Sequence, residues 1–181
     1  DVDLTVKDST LTTGGNGIDV GANLEGEDEH KDTNLDLTMD DTTINLTENA
    51  TAGINARDHS DVDIALKGDN IIDGSEGGQD ISKDNVNIEG IRVGGEGASD
   101  SSDASAGAET KLTISGGVTD SKTEEGGSLT IRDTTGGLVM AEGSDVEITD
   151  GADVTIENTK TSGSTQAGRG VTQHGDLTIS G

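Results

Sequence analysis

Along most of this chain, branched apolar residues stand two apart, and the residue between them is polar. Leu112-Thr113-Ile114, Leu129-Thr130-Ile131, Val146-Glu147-Ile148, Val154-Thr155-Ile156 and Leu177-Thr178-Ile179 are the clearest runs. A period of two turns one face of a strand inward and the other into water, whereas a helix needs apolar residues three and four apart. No window sustains that wider spacing, so the pattern predicts short β-strands and almost no α-helix. Gly, Asp, Asn, Ser and Thr separate the runs and supply the turns.

The runs also repeat. A phrase of glycine, a branched apolar residue, any residue and a fourth, mostly apolar, residue begins at Gly17, Gly53, Gly90, Gly137 and Gly170, at intervals of 36, 37, 47 and 33 residues. Each of the first four copies is followed by two more alternating runs. These are Leu35 to Leu37 and Ile44 to Leu46, then Val62 to Leu66 and Ile71 with Ile72, then Leu112 to Ile114 and Leu129 to Ile131, then Val146 to Ile148 and Val154 to Ile156. The fifth is followed by Leu177 to Ile179. A unit of three short strands that recurs with loops of unequal length predicts a coil stacked on itself. The count is four full rungs with a partial rung at each end, and residues 1–181 form a single segment.

With its Gly-Ile-x-Val phrase and Leu-Thr-Ile runs, the unit resembles the right-handed parallel β-helix of pectin-lyase-like proteins, and in particular the aromatic-poor passengers of bacterial surface adhesins of the autotransporter type. The resemblance covers essentially the whole chain. It implies an all-β solenoid, secreted or displayed at a cell surface, in a longer protein that continues in both directions. It implies no catalytic residue by itself, because that coil carries many chemistries and many non-enzymes.

Composition sharpens this reading. Ile, Leu and Val number 14, 11 and 11, which is 36 of 181 residues, a share at the edge of what a folded chain needs. Their alternating placement, and not their number, argues for folding. Phe, Trp, Tyr, Pro and Cys are absent, and 37 acidic against 11 basic residues give a formal charge of −26. A nucleic-acid partner is excluded, since binding one takes cationic and stacking side chains. No apolar run is long enough to insert this segment in a membrane.

Two stretches lack core-forming residues and are expected to be surface excursions: residues 21–33, with Glu25, Glu27, Asp28 and Glu29 near His30, and residues 94–110, almost wholly Gly, Ser, Ala and acid. Such loops are where a solenoid would carry contacts to a host or neighbouring cell surface, to matrix or to copies of itself.

Candidate chemistry is sparse. Gly14-Gly15-Asn16-Gly17-Ile18-Asp19 matches the opening of a calcium-binding nonapeptide repeat, but it occurs once, and that site is shared between successive copies. Asp61, Asp145 and Asp176 each precede the second strand of a rung, with Lys111 at the equivalent place, so they are expected to stack as a mostly acidic ladder. Calcium is the one ion these features would admit, and no cofactor is otherwise implied. The residues expected to face outward one step later are Asp36, Asp63, Thr113, Glu147 and Thr178, and their charges break the all-threonine face that ice binding requires.

Pectin-lyase-like enzymes work with a Lys or Arg base or with paired carboxylates on the coil's face. Arg57, Arg92, Arg132 and Arg169 and the pair Asp40-Asp41 are the available counterparts, and the arginines are expected to be salt-bridged. His30, His59 and His174 lie in different loops without zinc-ligand spacing. Asn45-Leu46-Thr47 and Asn49-Ala50-Thr51 fit the N-glycosylation pattern. The reading that follows is a non-enzymatic, extracellular adhesin or stalk segment with no assigned catalytic, cofactor or metal residue. Its rival is a polysaccharide-active enzyme of the same fold, and a groove along the coil lined by Lys or Arg and nearby carboxylates would favour the rival.

Overall fold

The computed structural model describes residues 1–21, 33–57, 59–75, 88–94, 110–116, 126–149, 151–160 and 168–180. Among them there are sixteen strands and no helix. The first turn of the coil is β1 (Val2–Lys7), β2 (Thr10–Thr13) and β3 (Ile18–Val20), and the second is β4 (Thr33–Asp40), β5 (Thr43–Leu46) and β6 (Ala52–Ala56). The third is β7 (Ser60–Lys67), β8 (Asp69–Asp73) and β9 (Glu89–Val93), and the fourth is β10 (Lys111–Ser115), β11 (Ser128–Arg132) and β12 (Gly136–Met140). The fifth is β13 (Asp145–Thr149), β14 (Asp153–Glu157) and β15 (Arg169–Gln173), and β16 (Asp176–Ile179) opens a sixth.

Every third strand pairs in parallel. The first sheet runs β1-β4-β7-β10-β13-β16, the second β2-β5-β8-β11-β14 and the third β3-β6-β9-β12-β15. This is a right-handed parallel β-helix with three strands per rung. Counted from the glycine phrase there are four full rungs and partial ones at both ends, as the repeat predicts; counted from β1 there are five turns and one strand. The loops at 21–33 and 94–110 lie outside the described residues except at their ends, and His30 falls among the residues not described.

Like residues stack on like. Leu4, Leu37, Ile64, Ile114, Ile148 and Ile179 form one inward column of the first sheet. Leu11, Ile44, Ile72, Ile131 and Ile156 do the same in the second, and Ile18, Ile54, Ile91, Leu138 and Val171 in the third. With rungs about 4.8 Å apart, branched side chains of one shape interlock along the axis and fill the bore without rings. The interior is accordingly aliphatic, and only the end positions of these columns are open, with Ile179 72% exposed.

The corners follow equally local rules. After β1, β4 and β7 the chain turns through Asp8, Asp41 and Gly68, all at positive φ (46°, 49° and 59°), residue types that tolerate the left-handed region. Inside that corner sits a polar residue the repeat did not reveal. Asn70, not Ile71, takes the inward place beside Ile72 and is fully buried. Its Oδ1 accepts from Thr42 N (3.1 Å), one turn below, while its Nδ2 donates to Lys67 O (3.0 Å) and to Ser128 O (3.2 Å), one turn above. One side chain thus ties three turns together.

Candidate functional site

The outer face of the first sheet collects most of the polar residues singled out from the sequence. Its register aligns Asn34, Asp61, Lys111, Asp145 and Asp176 in one outward column. The next outward column is Asp3, Asp36, Asp63, Thr113, Glu147 and Thr178. Both predicted ladders are therefore present in the predicted order. Parity within each strand determines this, because a residue two positions from an inward leucine or isoleucine is inward too, and the residue between must face out.

The two halves of this face differ electrostatically. At the lower end, acids stack on acids. Partial desolvation, a hydrogen bond with Asp3 and the charges of Asp3, Asp63 and Asp61 together raise the Asp36 pKa above the ordinary carboxylate value. Asn34 relieves the adjoining column, donating from Nδ2 to Asp1 Oδ1 at 2.9 Å. At the upper end, Lys111 interrupts the acids. There Lys111, Thr113, Asp145, Glu147, Gln173, Asp176 and Thr178 line a groove of about 560 Å³. One amine, three carboxylates, two hydroxyls and one amide border it.

Three of the four arginines behave as structural ions. Arg57 Nη2 reaches Asp19 Oδ2 at 2.6 Å, Arg92 Nε reaches Glu89 Oε2 at 2.5 Å, and Arg132 reaches Asp73 Oδ2 through Nε (2.9 Å) and Nη2 (2.7 Å). The Glu89–Arg92 pair is almost wholly buried, so each member is needed to offset the other's desolvation. At Asp73 desolvation opposes the charge, but hydrogen bonds from the Ser75 hydroxyl and backbone and the Arg132 guanidinium outweigh it and lower the pKa. Arg169 is exposed at the start of β15, in register with Gly136.

The remaining candidates are dispersed. Asp19, the last residue of the calcium-like motif, has its carboxylate occupied by Asn16 Nδ2 (3.0 Å), Asn55 Nδ2 (3.0 Å) and Arg57. The motif thus serves as a corner. Asp40 pairs with Lys7 Nζ at 2.6 Å, and Asp41 Oδ1 accepts from Asp69 N at 2.9 Å, so these neighbours face different partners. His59 and His174 lie at the turns between the third and first sheets of different rungs. Asn45 is on the outward face of β5, and Asn49 is exposed in the following turn at φ 72°. Among the described residues no group of three or more His, Cys, Asp or Glu is arranged to hold a metal ion.

No family model, curated protein or solved structure matches this chain.

Proposed function

We propose that this chain is a non-enzymatic, extracellular segment, a rigid rod that holds polar surface and acidic loops at a fixed spacing for attachment to a cell surface, to matrix or to neighbouring copies. The observation that carries this reading is the in-register repetition of outward residues on the first sheet. Five successive strand pairings carry the same positions up the axis, so the face is a rod surface and not a single cleft. Such a surface works by many weak polar contacts, where multivalency supplies the avidity that aromatic hot spots supply elsewhere. The test is attachment of the purified chain to cells and to immobilised matrix. Deletion of residues 96–108 is expected to leave the β-sheet circular dichroism intact and to reduce attachment. Undiminished attachment would remove that loop from the reading, and a tight one-to-one complex with a small sugar would overturn it.

A second reading, a polysaccharide-active enzyme, draws on the groove with Lys111, Asp145, Glu147 and Asp176. The absence of any aromatic ring to seat a sugar weighs against it. Incubation with acidic polysaccharides, followed for new reducing ends or unsaturated uronate products, separates the two readings.

A further inference from the structure

The glycine-rich corner between β2 and β3 carries a covalent chemistry separate from its part in the coil. Asn16 is followed by Gly17, and this is the one Asn-Gly pair in the sequence; the other nine asparagines precede Leu, Ile, Val, Ala or Thr. An asparagine is open to attack at Cγ by the backbone nitrogen of the next residue, and glycine, with no Cβ, leaves that nitrogen freest to approach. The Gly17 nitrogen gives up its proton and bonds to Asn16 Cγ. The Cγ–Nδ2 bond breaks, and ammonia leaves with that proton. Water then opens the ring imide at either carbonyl, leaving aspartate or isoaspartate in place of Asn16.

The second turn of the coil opposes each part of this reaction. Gly17 N donates to Ala52 O at 3.0 Å and Thr51 N donates to Gly15 O at 3.1 Å, so the backbone on both sides of Asn16 is tied to that turn. Drawing Gly17 N towards Asn16 Cγ breaks the first of these bonds. The leaving group, Asn16 Nδ2, donates to Asp19 Oδ2 at 3.0 Å. Asp19 is itself fixed from the second turn by Asn55 Nδ2 (3.0 Å) and Arg57 Nη2 (2.6 Å). Asn16 Oδ1, where the attack builds negative charge, is buried and accepts no hydrogen bond. The tetrahedral intermediate therefore gains no stabilising donor in the closed coil.

We propose that Asn16 is a deamidation site gated by the pairing of β3 with β6. It is protected while the first two turns are stacked, reacts when β3 separates, and hinders restacking once it has reacted. Aspartate puts a carboxylate oxygen where Nδ2 stood, at the 3.0 Å that separates it from Asp19 Oδ2, so a hydrogen bond becomes a contact between like charges. Isoaspartate adds one carbon to the main chain just before Gly17, which shifts Ile18 and Val20 against Ile54 and Ala56. A transient opening is thereby made lasting.

The experiment incubates the full chain at mildly alkaline pH, folded and in chaotrope, and follows the mass gain at each asparagine by peptide mapping. Asn16 is expected to react first in the unfolded chain. In the folded chain its rate is expected to fall at least about tenfold, the factor that an opening cost of about 1.4 kcal/mol imposes. Equal rates in the two states would overturn the gate, and another asparagine reacting first in the unfolded chain would overturn the choice of site. The Asn16→Asp variant tests restacking: its melting temperature is expected to fall and amide exchange at Gly17 to quicken. Wild-type exchange at Gly17 in that variant would show that the product closes again, and would overturn the claim that reaction makes the opening lasting.

Discussion

Asn70 shows how a single residue can matter more than its place in a repeat suggests. The residues aligned above it in the second sheet are Leu129 and Val154, so pattern alone would rate leucine an improvement. The structure argues the reverse. Asn70→Leu strands Thr42 N and two carbonyl oxygens in the dry corner, at a cost of about 2–3 kcal/mol, and a lowered midpoint in chemical denaturation checks it. Asp36 provides a second case, with the opposite sign from most carboxylates. Its pKa is raised on folding, so its contribution to stability is fully present below the ordinary carboxylate value and is lost as pH rises through the raised one. Asp73, with its pKa lowered, contributes stability above the ordinary value and loses it as pH falls through the lowered one. Asp36→Asn is expected to raise the melting temperature at neutral pH and to flatten the part of the stability profile that declines with rising pH. A variant with the wild-type profile would show that the Asp3–Asp36 contact carries no such coupling.

Among the elements, the strands of the third sheet depend on the smallness of the glycine beside or just inside their start. Gly90 lies against Gly137 O, 2.6 Å from where a methyl would sit, and against the Ile131 side chain. Backbone cannot yield as a side chain can, so Gly90→Ala forces β9 and β12 apart. A loss of about 1–3 kcal/mol is expected from such overpacking, and thermal melting measures it. The same substitution at Gly170 is expected to be silent in the isolated chain, and this contrast separates a packing requirement from a general intolerance of alanine. The five glycine phrases are evident in the sequence because the constraint recurs in each turn. The reason for them is not, since the oxygen they make room for belongs to a residue 33 to 47 positions later.

For the whole molecule, the governing quantity is charge. At −26 the folded coil brings acids closer together than the unfolded chain does, above all along Asp3, Asp36 and Asp63. Screening therefore favours the native state, with a Debye length falling from about 30 Å at 0.01 M salt to about 3 Å at 1 M. The melting temperature is expected to rise with sodium chloride, and a melting temperature independent of salt would refute the argument. The ion pairs of Asp19, Asp73 and Glu89 oppose this trend only weakly, because the Glu89–Arg92 pair is buried away from the screening ions.

The sequence by itself determined which residues of the strictly alternating runs face the bore, how many strands make a turn and which outward residues share a column, because strand parity and a repeated glycine constraint are written locally in each turn. It also suggested salt-bridged arginines without naming their partners. Tertiary structure alone decided that Arg132 meets Asp73 and Arg92 meets Glu89, that Asn70 and not Ile71 turns inward, and that Lys111, Asp145 and Asp176 border one groove with Gln173. Apart from Glu89 and Arg92, which lie three apart within β9, these contacts join residues from different turns or at corners, where loops of unequal length erase any fixed spacing. Only the stacking of rungs about 4.8 Å apart brings such residues together.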